Sequence, residues 1–177
     1  VNVDVREYVR ESNAIEGVES DQAVEESLDA WEYLGTIDHL THDAIRETHR
    51  LILRTRQPDV AGEYRDGQNH VGGRAPPPAP VVRPLLGWLL QQHPRDGVEA
   101  IRWHVEFERI HPFWDGNGRV GRLLYLWHCR QLDLDPVLWR AADREGYYSL
   151  FDRVTDREST LGVEYQPVDE QSGGPTD

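Results

Sequence analysis

The 177-residue chain is one domain's worth. Its formal charge of −13 comes from 32 acidic residues against 19 basic ones, all of them arginine; this excludes a general binder of nucleic acid or of an anionic membrane, both of which need basic surface. The single cysteine, Cys129, excludes an intramolecular disulfide and a cysteine-built metal cage, and no run reaches the roughly 18 apolar residues of a membrane span. The N-terminal VNVDVREYVR has no signal-peptide core, so the expected location is the cytoplasm.

Apolar residues recur at helical spacing over most of the chain. Residues 2–16 predict a first helix with Val5, Tyr8, Val9 and Ile15 on one side and Gly17 as its stop. A second helix is expected after Asp21, where Val24, Leu28, Trp31 and Leu34 recur before Gly35. Thr41 is a suitable cap for a third, with Ile45, Thr48, Leu51 and Ile52 inward, ending near Pro58. Residues 61–80, AGEYRDGQNHVGGRAPPPAP, break the pattern. Tyr64-Arg65, the turn-forming Asp66-Gly67 and the stretch to Val71 suit a short β-hairpin followed by an extended proline segment, or else a plain surface loop. Helical character returns over Pro80–Gln92 and from the cap Asp96 to Ile110. A helix restarts near Gly118 with Val120, Leu123, Leu124, Trp127 and His128 inward, and Asp143 caps a last one through Tyr147, Leu150, Phe151 and Val154. The polar end, 167–177, is expected to be disordered.

HPFWDGNGRVGR, residues 111–122, carries the chemistry. A Gly-Asn-Gly turn opening a helix aims free amides and the positive end of the helix dipole at one spot, which suits a phosphate. Arg119 and Arg122 lie one turn apart, so both guanidiniums can reach along a polyphosphate. Asp115 offers the hard oxygen that Mg²⁺ prefers, and His111 can take a proton from an attacking hydroxyl near neutral pH. Together they describe a phosphoryl- or nucleotidyl-transfer site. The motif is not a P-loop, since its Lys-Ser/Thr ending is absent, and it lacks the paired histidines of a zinc protease. DHLTHD, residues 38–43, reads as the solvated start of a helix rather than a metal site. His49, His104 and His128 read as core or boundary residues, with His104 supporting the site from behind, and the six tryptophans read as core.

HPFWDGNGRVGR resembles the signature of the Fic family, HPFx, then Asp or Glu, then GNGRxxR. The resemblance runs from Ser12 to Phe151: WHVEFERIHPF is similar to the family's helix into the motif, AGEYRDGQNHVGG to its flap, and REGYYSLF to the segment after it. It implies an all-α, Fic-type helical bundle with a short β-hairpin flap. The expected activity is transfer of AMP from ATP to a Ser, Thr or Tyr hydroxyl of a target protein, with ATP as substrate and Mg²⁺ as cofactor. By resemblance His111 is the general base and Asp115 the Mg²⁺ ligand. Gly116, Asn117 and Gly118 cradle phosphates, Asn117 through its side chain; Arg119 and Arg122 bind the β- and γ-phosphates, and Val120 and Gly121 complete the nucleotide-binding run. Asn69, His70, Val71 and Gly72 of the flap sit beside the nucleotide and clamp the target protein, while Tyr147 and Tyr148 border the adenine. Thr155 departs from the Asn common at that family position.

SNAIEG, residues 12–17, resembles the family's inhibitory motif: Ser12 and Glu16 share a helix face, Gly17 follows, and the resemblance pairs Glu16 with Arg122. The implied organisation is an inhibitory helix over 1–20 within the same domain as the Fic core of 21–166. Two rival readings are a hydrolase that removes AMP with Glu16 positioning water, and a non-catalytic nucleotide- or peptide-binding module. A homo-oligomer is left open.

Overall fold

A computed structural model describes residues 2–70 and 75–153; the expectations for Val71, Gly72, Val154, Thr155 and the 167–177 tail lie outside those residues. The described residues form α1 (Val5–Ile15), α2 (Asp21–Leu34), α3 (His42–Leu53), α4 (Ala79–Leu89), α5 (Gly97–Ile110), α6 (Asn117–Gln131), a 3₁₀ turn (Ala141–Asp143) and α7 (Arg144–Arg153). None of these helices is long and apolar enough to cross a membrane.

Capping side chains set where the helices begin, because the first amides of a helix have no intrahelical acceptor. Thr41 accepts from Ala44 N at the start of α3, and Asp96 from Glu99 N at α5, as expected. Asp143 Oδ1 takes the Gly146 amide at 3.2 Å in the first turn of α7. Two starts differ. Asp4 accepts from Arg6 N and Glu7 N, so α1 begins at Val5 rather than residue 2, and α2, expected after Asp21, already includes Asp21 with Ser20 as its cap.

The helix expected to show one inward face, α6, is buried on nearly every side, and packs against α5, α1, α3 and α2. A helix enclosed by others needs no polar face. The main core gathers Leu34, Ile45, Ile52, Leu53, Phe107, Ile110, Phe113 and Leu124, while α1 packs on α2 and α6 and so belongs to the same body. Among the described residues there is no strand. The segment Tyr64–His70 is anchored by a side chain instead of a strand ladder: Arg65 donates to the carbonyls of His111 and Gly67 at 2.7 and 2.9 Å and to that of Pro77, and its own amide donates to Pro112 O at 2.9 Å.

Candidate active site

Two left-handed residues shape the turn between α5 and α6. His111 closes α5 at φ 48°, and Gly116 opens α6 at φ 75°. That conformation costs roughly 1–2 kcal/mol for a residue with a Cβ, and at His111 it is held from both sides. Its amide donates to Phe107 O at 3.1 Å, and its carbonyl accepts from Arg65 Nε. Asn117 locks the interior of the turn: its Oδ1 accepts from Phe113 N and its Nδ2 donates to Phe113 O, both at 2.9 Å. Its side chain is therefore engaged within the turn, and differs from the phosphate-cradling role expected of it. What Asn117 presents outward is the backbone of the first turn of α6, where amides lack intrahelical acceptors.

A cavity of about 350 Å³ opens in front of this turn, with His111, Asp115, Gly118, Glu16, Glu108 and Tyr148 among its walls. Asn69, His70, Gly116, Asn117 and Tyr147 also reach it. The Asp115 side chain is 44% exposed, with Oδ1 accepting from Gly116 N and Oδ2 from Gln57 Nε2, each at 2.7 Å. Its carbonyl is held by His49 Nε2 at 3.0 Å, while His49 Nδ1 accepts from Gly62 N at 2.8 Å. These two contacts fix the neutral Nε2–H form of His49, whose ring stacks on Phe113 at 3.7 Å between centroids. Burial pushes His49 and His111 each down to about 4, so both rings are neutral at pH 7.

Arg119 and Arg122 do not line the cavity but stand behind its floor, 2% and 1% exposed. Arg122 is fully engaged on one side. Its Nε donates to Ser12 Oγ at 2.8 Å, and its Nη2 to Ser12 O at 2.9 Å and to Glu16 Oε1 at 2.7 Å. Its guanidinium also lies 4.9 Å from the centroid of the Tyr147 ring. Burial works against the Arg122 charge, Tyr147, Glu16 and Glu108 work for it, and the net effect is upward. Arg119 reaches Asp115 Oδ2 at 3.5 Å, and its Nε and Nη1 have no hydrogen-bond partner among the described residues. Its burial holds its pKa below the ordinary guanidinium value. Val120 faces the core and Gly121 packs against Glu108 and His104, so neither reaches the cavity as expected from the motif.

Glu16 takes its place through the end of α1. Gly17 at φ 69° forms a Schellman close, with Val18 N on Asn13 O and Gly17 N on Ala14 O, both 3.0 Å, which leaves Glu16 as the C-cap just past Ile15. A carboxylate at that negative end is locally unfavourable by a few tenths of a kcal/mol; the Arg122 contact offsets this. Gly118 leaves the room, since a Cβ there would lie 2.2 Å from Glu16 Oε1.

Tyr147 is buried with its hydroxyl 3.0 Å from His104 Nε2, whereas Tyr148 is 39% exposed at the rim. His104 does sit directly behind the site, but Trp114, counted among core tryptophans, is 40% exposed and covers Gly67. A loop residue one place before Asp115 has no helix face to bury. Sequence reasoning missed Gln57, Arg65 and Glu108. Glu108 carried one legible signal, its place one helical turn before His111. Gln57 and Arg65 carried none, since both act across long loops.

A model of the Fic/DOC family matches residues 39–129, about half of the chain. The protein adenylyltransferase Fic of Nematostella vectensis is 34% identical over 124 residues, covering 66% of this chain and 29% of that protein. The protein of the same name from Aedes aegypti is 34% identical over 120 residues, covering 63% of this chain and 24% of that protein. The chain thus spans less than a third of the length of these relatives. In fold it is similar to a Fic domain containing signaling protein from Bacteroides thetaiotaomicron, with a TM-score of 0.73 at 20% identity over 89% of this chain and 73% of that one. Fic-1 from C. elegans gives a TM-score of 0.69 at 24% identity over 89% of this chain and 56% of that one. The family match spans the complete HPFWDGNGR turn and the helices that hold it, and this chain belongs to the Fic/DOC family.

Proposed function

We propose that the chain is a protein adenylyltransferase whose own first helix holds it inactive. The observation that carries this reading is the Arg122 contact: one of the motif's two arginines is bonded to Ser12 and Glu16 instead of facing a ligand. The names of the curated relatives supply the reaction class, and the cavity residues supply a route for it.

In this route ATP lies with its phosphates over the first turn of α6, and a Ser, Thr or Tyr hydroxyl of a target protein, clamped beside the flap, approaches His111. The neutral imidazole accepts the hydroxyl proton as the oxygen attacks the α-phosphorus, and the bond to the bridging oxygen breaks to release pyrophosphate. Developing charge on the phosphates is met by the α6 amides and Arg119. The half-exposed Asp115 carboxylate fits Mg²⁺, which takes one or two protein oxygens and fills its remaining positions with phosphates and water. When bound there, the ion would neutralise phosphate charge. Glu16 competes for Arg122; a partly desolvated contact of this kind is worth on the order of a few kcal/mol, and each 1.4 kcal/mol changes an equilibrium tenfold.

The test is incorporation of labelled AMP from ATP into the chain itself or into proteins of a lysate. Glu16→Gly is expected to raise labelling by roughly tenfold or more, and His111→Ala to abolish it by removing the base, a loss of about 10²–10⁴. Unchanged labelling and ATP affinity in Glu16→Gly would show that the lock is wrongly assigned.

A further inference from the structure

We propose that Glu108 is a ligand-contacting residue of this cavity, a carboxylic acid that keeps its proton and donates its O–H to an oxygen of a bound triphosphate. The inference rests on the nucleotide reading above and adds a residue to it.

Glu108 stands on α5 one turn before His111 and lines the same cavity. Its Oε1 is shielded from solvent and has no hydrogen-bond partner among the described residues. Buried polar atoms are nearly always satisfied in native proteins, so the Glu108 carboxyl group has bonding capacity to spare; His104 Nδ1, which also lacks a partner among the described residues, lies beside the same Gly121. The position is also a shaped one. A Cβ on Gly121 would lie 2.4 Å from Glu108 Oε1 and 3.0 Å from the His104 ring, just as a Cβ on Gly118 would meet Glu16. Glycines one turn apart on α6 therefore make room for one carboxylate each. Glu16 uses its room to bind the arginine, while Glu108 Oε1 has no hydrogen bond among the described residues.

The charged and titratable groups facing Glu108 are Glu16 of α1, His104 of its own helix, Arg122 of α6 and Tyr147 of α7. Burial holds His104 down to about 3 and pushes the Tyr147 hydroxyl up, so both are neutral near pH 7. Arg122 and Glu16 are opposite charges bonded to each other. Burial is then the main influence on Glu108 and pushes it up to about 8, with Arg122 pulling it down and Glu16 adding to the rise. A phosphate that displaces Glu16 from Arg122 brings further negative charge, which favours the protonated acid still more. The bound state thus holds a proton that the free state loses above about pH 8, so affinity present below that value is lost as pH rises through it.

Calorimetric titration of Mg-ATP into the wild-type chain, Glu108→Gln and Glu16→Gly tests this. Wild-type affinity is expected to fall about tenfold between about pH 7 and pH 9, and binding at the higher pH to draw a proton from the buffer, seen as a heat that depends on the buffer's ionisation enthalpy. Glu108→Gln, a neutral near-isostere, is expected to bind equally at both. A flat wild-type profile, the same fall in Glu108→Gln, or no proton uptake overturns the proposal. If Glu108→Gln does not fold, proton uptake by the wild type decides alone. Binding that is independent of pH removes Glu108 and leaves the nucleotide reading standing. No Mg-ATP binding by any of the three proteins removes both.

Discussion

Arg119 and Arg122 stand one turn apart on the same helix and are almost equally buried, yet their surroundings are opposite. Arg122 is bonded to Ser12 twice and to Glu16, and lies against Tyr147. Among the described residues Arg119 has one carboxylate at 3.5 Å and no hydrogen-bond partner on Nε or Nη1, whereas on Arg122 only Nη1 lacks one. A buried cation with partners is part of the fold, whereas one with few is a cost carried for a ligand. Behind the cavity floor, one arginine is thus left with few partners and the other is held by the protein's own first helix.

Truncation of each arginine separates these roles most sharply. Arg122→Ala leaves a carboxylate and a hydroxyl without their donor and is expected to lower unfolding free energy in urea by about 3–5 kcal/mol. Arg119→Ala removes a buried cation with one carboxylate at 3.5 Å, and is expected to cost less unfolding free energy than Arg122→Ala while weakening ATP binding. Equal destabilisation by the two would break the comparison.

Acid should loosen the Arg119 end through His49. Its value of about 4 in the folded chain lies below the 6.5 of a free histidine, so the unfolded state binds the proton first. Stability is therefore full above about pH 6.5 and is lost as pH falls toward 4, by up to about 3 kcal/mol from this one ring. Thermal melts across that range check it, and a His49→Gln chain should show a shallower acid slope.

The smallest effect belongs to the packing that lets Glu16 in. Gly118→Ala would push a methyl into the Glu16 carboxylate and is expected to cost about 1–2 kcal/mol. Because the obstructing atom is the end of a flexible side chain, Glu16→Gly should relieve most of that cost. A double-mutant cycle on melting temperature gives the coupling, and strict additivity would mean that Glu16 does not occupy this space.

Much of the site was legible in the sequence because its pieces are local. The His111–Arg122 turn, the caps Thr41 and Asp96, and the Ser12–Glu16 face follow from residues within a few positions of each other. Contacts across loops were not legible: His49 on the Asp115 carbonyl, Arg65 on the His111 carbonyl and Gln57 on the Asp115 carboxylate join positions far apart in the chain. Asn117 was misjudged for a related reason. Its side chain has a choice between a ligand and the Phe113 peptide, and only the path of the turn decides between them.

Read alone, the sequence specifies the helical periodicity, the Gly-Asn-Gly turn with His111 and Asp115 before it, and a Ser12-Glu16 pair lying 110 and 106 residues before Arg122. The tertiary structure alone decided which arginine is held and which is left with little to bind. It also decided that the carboxylates of Glu16, Glu108 and Asp115 share the wall of one cavity. Periodicity follows from local backbone geometry, whereas the charge state and partners of a buried group depend on every element packed against it.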